Sequence, residues 1–161
     1  MTDDQRENEG MFVPPPLAYG VPLVLGLLLN RKAPVPFLPS KTARFLGGTL
    51  LGSGVLLAAW FVLTFRRAGT PLIGEPFVRA KPVSTLVTGG PFRYSRNPGY
   101  LSLTMIYAGL ASLANALWAI LLLPVALFVM QRSVIEREER YLEREFGEEY
   151  LRYKARVRRW I

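Results

Sequence analysis

The sequence predicts an all-α integral membrane protein: a helical bundle of about four spans with a C-terminal cytoplasmic helical cap. Three observations carry this expectation. Half of the 161 residues are hydrophobic, and mean hydropathy is +0.21. The apolar residues fall in blocks rather than at amphipathic spacing, which soluble domains rarely show. Two blocks, Phe45–Phe65 of 21 residues and Gly99–Met130 of 32, contain no charged side chain.

The elements follow in order. The N-terminus, TDDQRENEG, is acidic and lacks the basic region of a cleavable signal. Residues 1–10 read as a disordered solvated tail, and 11–161 as a single domain. The first apolar block is Leu17–Leu29, preceded by Pro14, Pro15 and Pro16, which suit a helix start. Adding Met11–Val13 brings it toward the roughly 20 residues a span requires. The loop Asn30–Ser40 holds Pro34, Pro36 and Pro39 and should not be helical. Phe45–Phe65, flanked by Arg44 and Arg66-Arg67, is the clearest span. Gly47, Gly48, Gly52 and Gly54 crowd its first half, where small residues permit close helix contact.

Residues 66–98 form a polar connection with five prolines and six basic residues. As one helix, Gly99–Met130 would run about 48 Å, well beyond a hydrocarbon core of about 30 Å. Two helices turning near Ser112–Asn115 are expected instead. The hairpin brings the 66–98 connection and the segment after it to one face. That later segment carries nine basic residues from Arg132 onward, so the shared face should be cytoplasmic. The 31–44 loop, with four, would lie outside.

From Arg132 the pattern is a polar helix. Glu136, Glu139 and Glu143 recur with Arg132, Arg140 and Arg144 at spacings of three and four. Gly147 interrupts it. Tyr150, Tyr153, Val157 and Trp160 then mark one face of a basic amphipathic helix, suited either to the membrane interface or to packing on the domain's own polar cap.

The chain has no Cys and no His. That removes thiolate nucleophiles, His bases and His or Cys metal sites, and no metal is expected. The net charge of +8 comes from basic residues flanking apolar segments, which favours membrane lipid as partner over nucleic acid. In Arg96-Asn97-Pro98-Gly99-Tyr100, Pro98 fits the first position of a helix and Asn97 its N-cap. Asn97 can serve as a cap alone, or as a cap that also meets a ligand. Arg132 and Glu136 share a helix face. They form either a solvated ion pair worth about 0.3 kcal/mol, or a catalytic pair in which the guanidinium holds an anionic substrate and the carboxylate a cationic cofactor.

The order LVTGGPFRYSRNPGY, an uncharged hairpin, R-x-x-x-E-x-E-E, then FGEEYLRYKARV resembles the isoprenylcysteine carboxyl methyltransferase family. That family sits in a wider group of membrane methyltransferases that includes phospholipid N-methyltransferases. The resemblance covers roughly residues 70–159, the expected catalytic portion. It implies S-adenosylmethionine as cofactor, bound between the loop before the hairpin and the helix after it. Carried over by position, the cofactor contacts fall on Ser84, Thr85, Leu86, Val87, Phe92, Asn97, Pro98, Gly99, Tyr100 and Glu136. The substrate-contacting arginine falls on Arg132. Asn97 stands where the family motif has His, Ser84 where eukaryotic members have a leading His, and Phe92 where Tyr is common.

The resemblance makes sense of the missing His and Cys, because a sulfonium methyl is already an activated electrophile. Displacement then needs alignment and dryness more than a strong base. A carboxylate or thiolate acceptor arrives charged; an amine must lose a proton, with Glu139 or Tyr100 to assist. The expected function is methyl transfer to a lipophilic or lipid-modified acceptor at the membrane. Alternatives are a phospholipid N-methyltransferase, a sterol-reductase-like enzyme using NADPH, and a non-catalytic scaffold of the same fold. The expectation requires Asn97 and Glu136 to line one pocket just outside the lipid.

Overall fold

A computed structural model describes residues 13–68 and 85–161. The expected tail 1–10 and the middle of the 66–98 connection, with Arg79 and Lys81, lie outside the described residues.

Pro14 and Pro15 open helix α1, Pro15–Lys32, where a missing N–H is harmless. The helix runs past the expected loop start at Asn30, and Arg31 and Lys32 complement its C-terminal dipole. Asn30 Oδ1 accepts the Val35 N–H at 3.2 Å and closes the turn. After the proline-rich link, Pro39 caps helix α2, Ser40–Arg67. Helix α3, Pro98–Leu113, and helix α4, Leu117–Met130, flank the expected break. Asn115 takes a left-handed φ of 47° there, a conformation Asn tolerates better than most residues. Its side chain accepts the N–H groups of Phe37 and Leu38 and donates to Leu38 O at 2.8 Å, tying the hairpin tip to the α1–α2 link.

Helix α4 continues through a π-helical segment, Gln131–Ile135, into helix α5, Glu136–Phe146. Gly147, at φ 47°, permits the sharp turn into helix α6, Glu148–Arg156. α6 packs inward. Tyr150 and Tyr153 are buried in an aromatic cluster, so this helix sits on the domain's own polar cap.

α2 runs antiparallel to α3 and packs against it most extensively. A Cβ on Gly109 would lie 2.6 Å from the Leu51 backbone nitrogen, and one on Gly47 only 2.7 Å from that of Leu113. Gly48 and Gly52 face open space. The glycine-rich half of α2 is therefore divided into contact and outer positions. α1 packs on α4 through Gly26 and Ala119. Buried Tyr107 donates to Ala119 O at 2.8 Å, so its hydroxyl is satisfied.

The outer surface is apolar. Leu17, Val24, Phe45, Leu56, Leu121 and Phe128 are all exposed. Two helices, Ser40–Arg67 and the continuous Leu117–Phe146, are long and apolar enough to cross a membrane. Only 11% and 28% of their apolar windows are buried within the protein, the reverse of a soluble core helix. α3, with 16 residues, would reach about 24 Å. The α1–α2 link and the hairpin tip lie at one end of the bundle. The loop before α3 and the chain after α4 meet at the other, where Arg96 N donates to Arg158 O at 2.9 Å.

Replacing Gly47 or Gly109 with Ala should lower unfolding stability in detergent by about 1–3 kcal/mol, as overpacking does. Ala at Gly48 or Gly52 should stay within about 0.5 kcal/mol of wild type. Equal losses at all four positions would contradict the close α2–α3 approach.

Candidate functional site

The polar end of the bundle is built by three segments far apart in sequence. The first is the loop 85–97. Leu86 and Val87 pack into the aromatic cluster of Phe92, Tyr150 and Tyr153, while Thr85 is exposed. Phe92 rides on a 3-10 turn, Gly90–Arg93, with the rings of Phe61 and Phe65 at 5.8 and 5.5 Å. Tyr153 Oη donates to Phe92 O at 2.8 Å. These loop side chains thus bind the loop to α6. Ser84 lies outside the described residues.

The loop then pairs with the C-terminal segment. Ser95 Oγ donates to Arg159 O and accepts the Asn97 N–H. Asn97 occupies the N-cap position of α3 with Pro98 next, as expected, but its side chain makes no capping bond. Its Nδ2 instead donates to Arg159 O at 3.0 Å. Its Oδ1 has no partner among the described residues. Pro98 is fully buried, and Gly99 lies so close to Phe61 that a Cβ would sit 3.0 Å from the ring.

The second segment, α5, and the third, residues 157–161 at the C-terminus, meet through Glu139. Its side chain is 9% exposed and accepts two bonds from Arg159, Nε to Oε1 at 3.0 Å and Nη2 to Oε2 at 2.7 Å. These bonds raise the Arg159 pKa above its ordinary value, with burial opposing. Arg96 Nη1 lies 3.2 Å from the same carboxylate. Arg96 is as buried as its partner, and neither Nε nor Nη1 has a well-aligned acceptor. One carboxylate therefore compensates two guanidiniums, from the loop and from the C-terminus.

Adjacent Glu138 points elsewhere. Tyr100 Oη donates to its Oε1 at 2.7 Å. Part of its surface reaches solvent, yet protein atoms surround the carboxylate densely. Burial pushes its pKa up to about 7, the neighbouring Glu139 charge adds to this, and the Tyr100 bond opposes it.

Glu136 is a third case. Arg132 Nη1 lies 3.4 Å from its Oε2, so the ion pair expected from the spacing forms, loosely. Gln131 Nε2 reaches Oε1 at 3.5 Å. Arg132 is largely exposed and rests 5.7 Å over the Phe128 ring. The π-helical segment carries Arg132, and such segments often accompany functional sites.

Asn97, Tyr100, Arg132 and Glu136 thus sit at one end of the bundle. No hydrogen bond joins Asn97 to Glu136 among the described residues. The link runs through Arg159, whose carbonyl takes the Asn97 amide and whose side chain takes Glu139, one turn beyond Glu136. Sequence reasoning missed Arg159 and Glu138. For Glu138 the one sequence signal was the density of carboxylates in E-x-E-E, and for Arg159 the density of basic residues near the C-terminus.

A family model described as phospholipid methyltransferase matches residues 42–149, about two thirds of the chain. An uncharacterized protein of Haemophilus influenzae is 48% identical over 67 residues, which covers 38% of this chain and 98% of that protein. No solved structure matches.

Glu139→Gln should destabilise the protein by about 3–5 kcal/mol, because it leaves buried Arg96 uncompensated. Glu143→Gln, which breaks the more exposed pair with Lys154, should cost about 1 kcal/mol or less. Glu138 predicts a pH dependence. Its folded-state pKa is raised from 4.5 to about 7, so its contribution to stability is complete below the lower value and is lost as pH rises through the upper one. Thermal unfolding of Glu138→Gln should therefore match wild type at pH 4.5 and exceed it at pH 8. A constant difference between the two proteins across that range would refute the raised pKa.

Proposed function

This chain belongs to the phospholipid methyltransferase family, and from that premise we propose that it transfers a methyl group from S-adenosylmethionine to a lipophilic acceptor in the membrane. The family makes it a membrane methyltransferase. The cofactor, the acceptor and the residues that serve them are the proposal, as are four crossings with the polar end in the cytoplasm.

The observation that carries this reading is the Glu139 clamp. It holds the loop before the hairpin against the helix after it, at the mouth of an apolar bundle. Around the clamp lie groups suited to a cationic methyl donor. Glu136 is a partly buried carboxylate held by a loose ion pair with Arg132 and a long contact from Gln131, and the Asn97 amide oxygen has no hydrogen-bond partner among the described residues. When bound, the sulfonium supplies an activated methyl group. The chain's own part is to hold and orient. Glu136 and Asn97 Oδ1 favour positive charge and hydroxyls. Tyr100 and Pro98 form the wall beneath, and Thr85, Leu86, Val87, Phe92 and Gly99 complete the donor side. Arg132, at the exit of α4, can orient an anionic acceptor that enters from the bilayer.

A second reading, methylation of a phospholipid amine, draws support from Glu138. An amine must release a proton before its lone pair attacks, and a carboxylate with a pKa near 7 is matched to that task. Glu139 is unsuited, since two guanidiniums occupy its carboxylate oxygens. A carboxyl acceptor, as in isoprenylcysteine methylation, would not need Glu138.

Two measurements test these readings. S-adenosylmethionine binding to purified protein in detergent should weaken by about tenfold or more in Glu136→Ala, as loss of a charged hydrogen bond implies. Unchanged affinity would remove Glu136 from the site. Supplying methyl-labelled donor with phosphatidylethanolamine or a prenylcysteine should label one acceptor class. Glu138→Gln should reduce labelling of the amine alone.

A further inference from the structure

At the polar end two arginines from different elements converge on one cavity. Arg93, on the 3-10 turn, has no acidic partner among the described residues. Arg156, in the last turn of α6, gives Nε to Arg152 O at 3.2 Å, and its terminal nitrogens have no carboxylate partner among the described residues. Both side chains line one cavity of about 330 Å³, together with Thr88, Tyr153 and Val157. Tyr153 and Val157 belong to the aromatic cluster, so the cavity combines an apolar wall, a hydroxyl and two guanidiniums.

Its depth can be read from its surroundings. Tyr94, next in sequence to Arg93, is exposed and packs beside exposed Trp60, with ring centroids 6.1 Å apart. Exposed Trp and Tyr collect at the headgroup level of a bilayer. α2 ends nearby with Arg66 and Arg67, and Phe65 of its last turn touches Phe92 of the 3-10 turn. The cavity therefore lies where apolar surface gives way to basic surface, at the level of lipid phosphates.

We propose that this cavity binds the phosphate group of an anionic phospholipid from the adjoining leaflet. Arg93 and Arg156 clamp the phosphate from two elements through charge-assisted hydrogen bonds, which planar guanidiniums make well. Thr88 supplies a hydroxyl donor, and Val157 with the Tyr153 ring covers the glycerol carbons. No lining residue belongs to the set assigned to methyl donor or acceptor. The inference rests on the membrane location and not on the methyl-transfer reading. Bound lipid would hold the 3-10 turn and α6 together from outside, as Tyr153 and Phe92 do from inside.

The test is native mass spectrometry of detergent-solubilised protein with phosphatidylglycerol or phosphatidylcholine added. Wild type should retain phosphatidylglycerol preferentially, and Arg93→Gln/Arg156→Gln should lower that retention by about tenfold or more. Arg31→Gln/Lys41→Gln removes the same charge at the other end of the bundle and should retain lipid as wild type does. Undiminished retention in the first double variant, or an equal loss in both, would overturn the proposal. A parallel titration with inorganic phosphate separates the sources. Binding of free phosphate at Arg93 and Arg156 without retention of phosphatidylglycerol would overturn the lipid assignment. S-adenosylmethionine affinity should be unaltered in the first double variant whichever lipid is retained.

Discussion

A single buried carboxylate organises the polar end of this protein. Glu139 meets Arg96 from the loop before the hairpin and Arg159 from the C-terminus, and its side chain is 9% exposed. Desolvating three charged groups is expensive, and such a cluster is weak evidence of net stability. Its effect is positional. Once the two guanidiniums converge on one acceptor, the backbones carrying them are brought into register. Arg96 N then bonds Arg158 O, and Asn97 and Ser95 share Arg159 O. The start of α3 is thereby set against the end of the chain.

The bundle beneath obeys a different constraint. Lipid gives no hydrophobic drive for helices to associate, so contact depends on close approach and internal hydrogen bonds. Gly47, Gly54 and Gly109 supply the approach, and Asn115 and the Tyr107 hydroxyl supply bonds between segments. Large side chains are left for the outer surface. The apolar bundle and the charged cap are joined through the π-helical turn, which changes the rotational phase between α4 and α5. Residues of one short acidic run within α5 face three directions, because successive residues lie about 100° apart around the helix.

Those directions divide three carboxylates by chemistry. Glu139 is neutralised and structural. Glu138 has no cationic partner among the described residues and has a raised proton affinity beside Tyr100. Glu136 keeps a loose ion pair with Arg132 and a long contact from Gln131. A methyltransferase that lacks His and Cys has few other groups with which to hold a cation or accept a proton. Identical side chains on one helix are thereby separated by environment.

Much of the architecture was legible from the sequence because its causes are local. The length of the uncharged run 99–130 against bilayer thickness implied a hairpin, and its turn lies where Asn115 permits it. Prolines marked the starts of α1 and α3, and Gly147 marked the last break. The Arg132–Glu136 pair followed from helical spacing alone. What tertiary structure decided was pairing. Glu138 and Glu139 are neighbours in the chain and lie about 100° apart around the helix. Which one meets Tyr100 and which meets Arg159 depends on the π-helical phase and on the returning C-terminus. Gly47 and Gly48 differ in role for the same reason, since only packing chooses the face. Local chemistry thus determined where helices begin, break and end. Partners for the buried charges required segments some sixty residues apart in sequence to arrive at one place, and no local pattern encodes that.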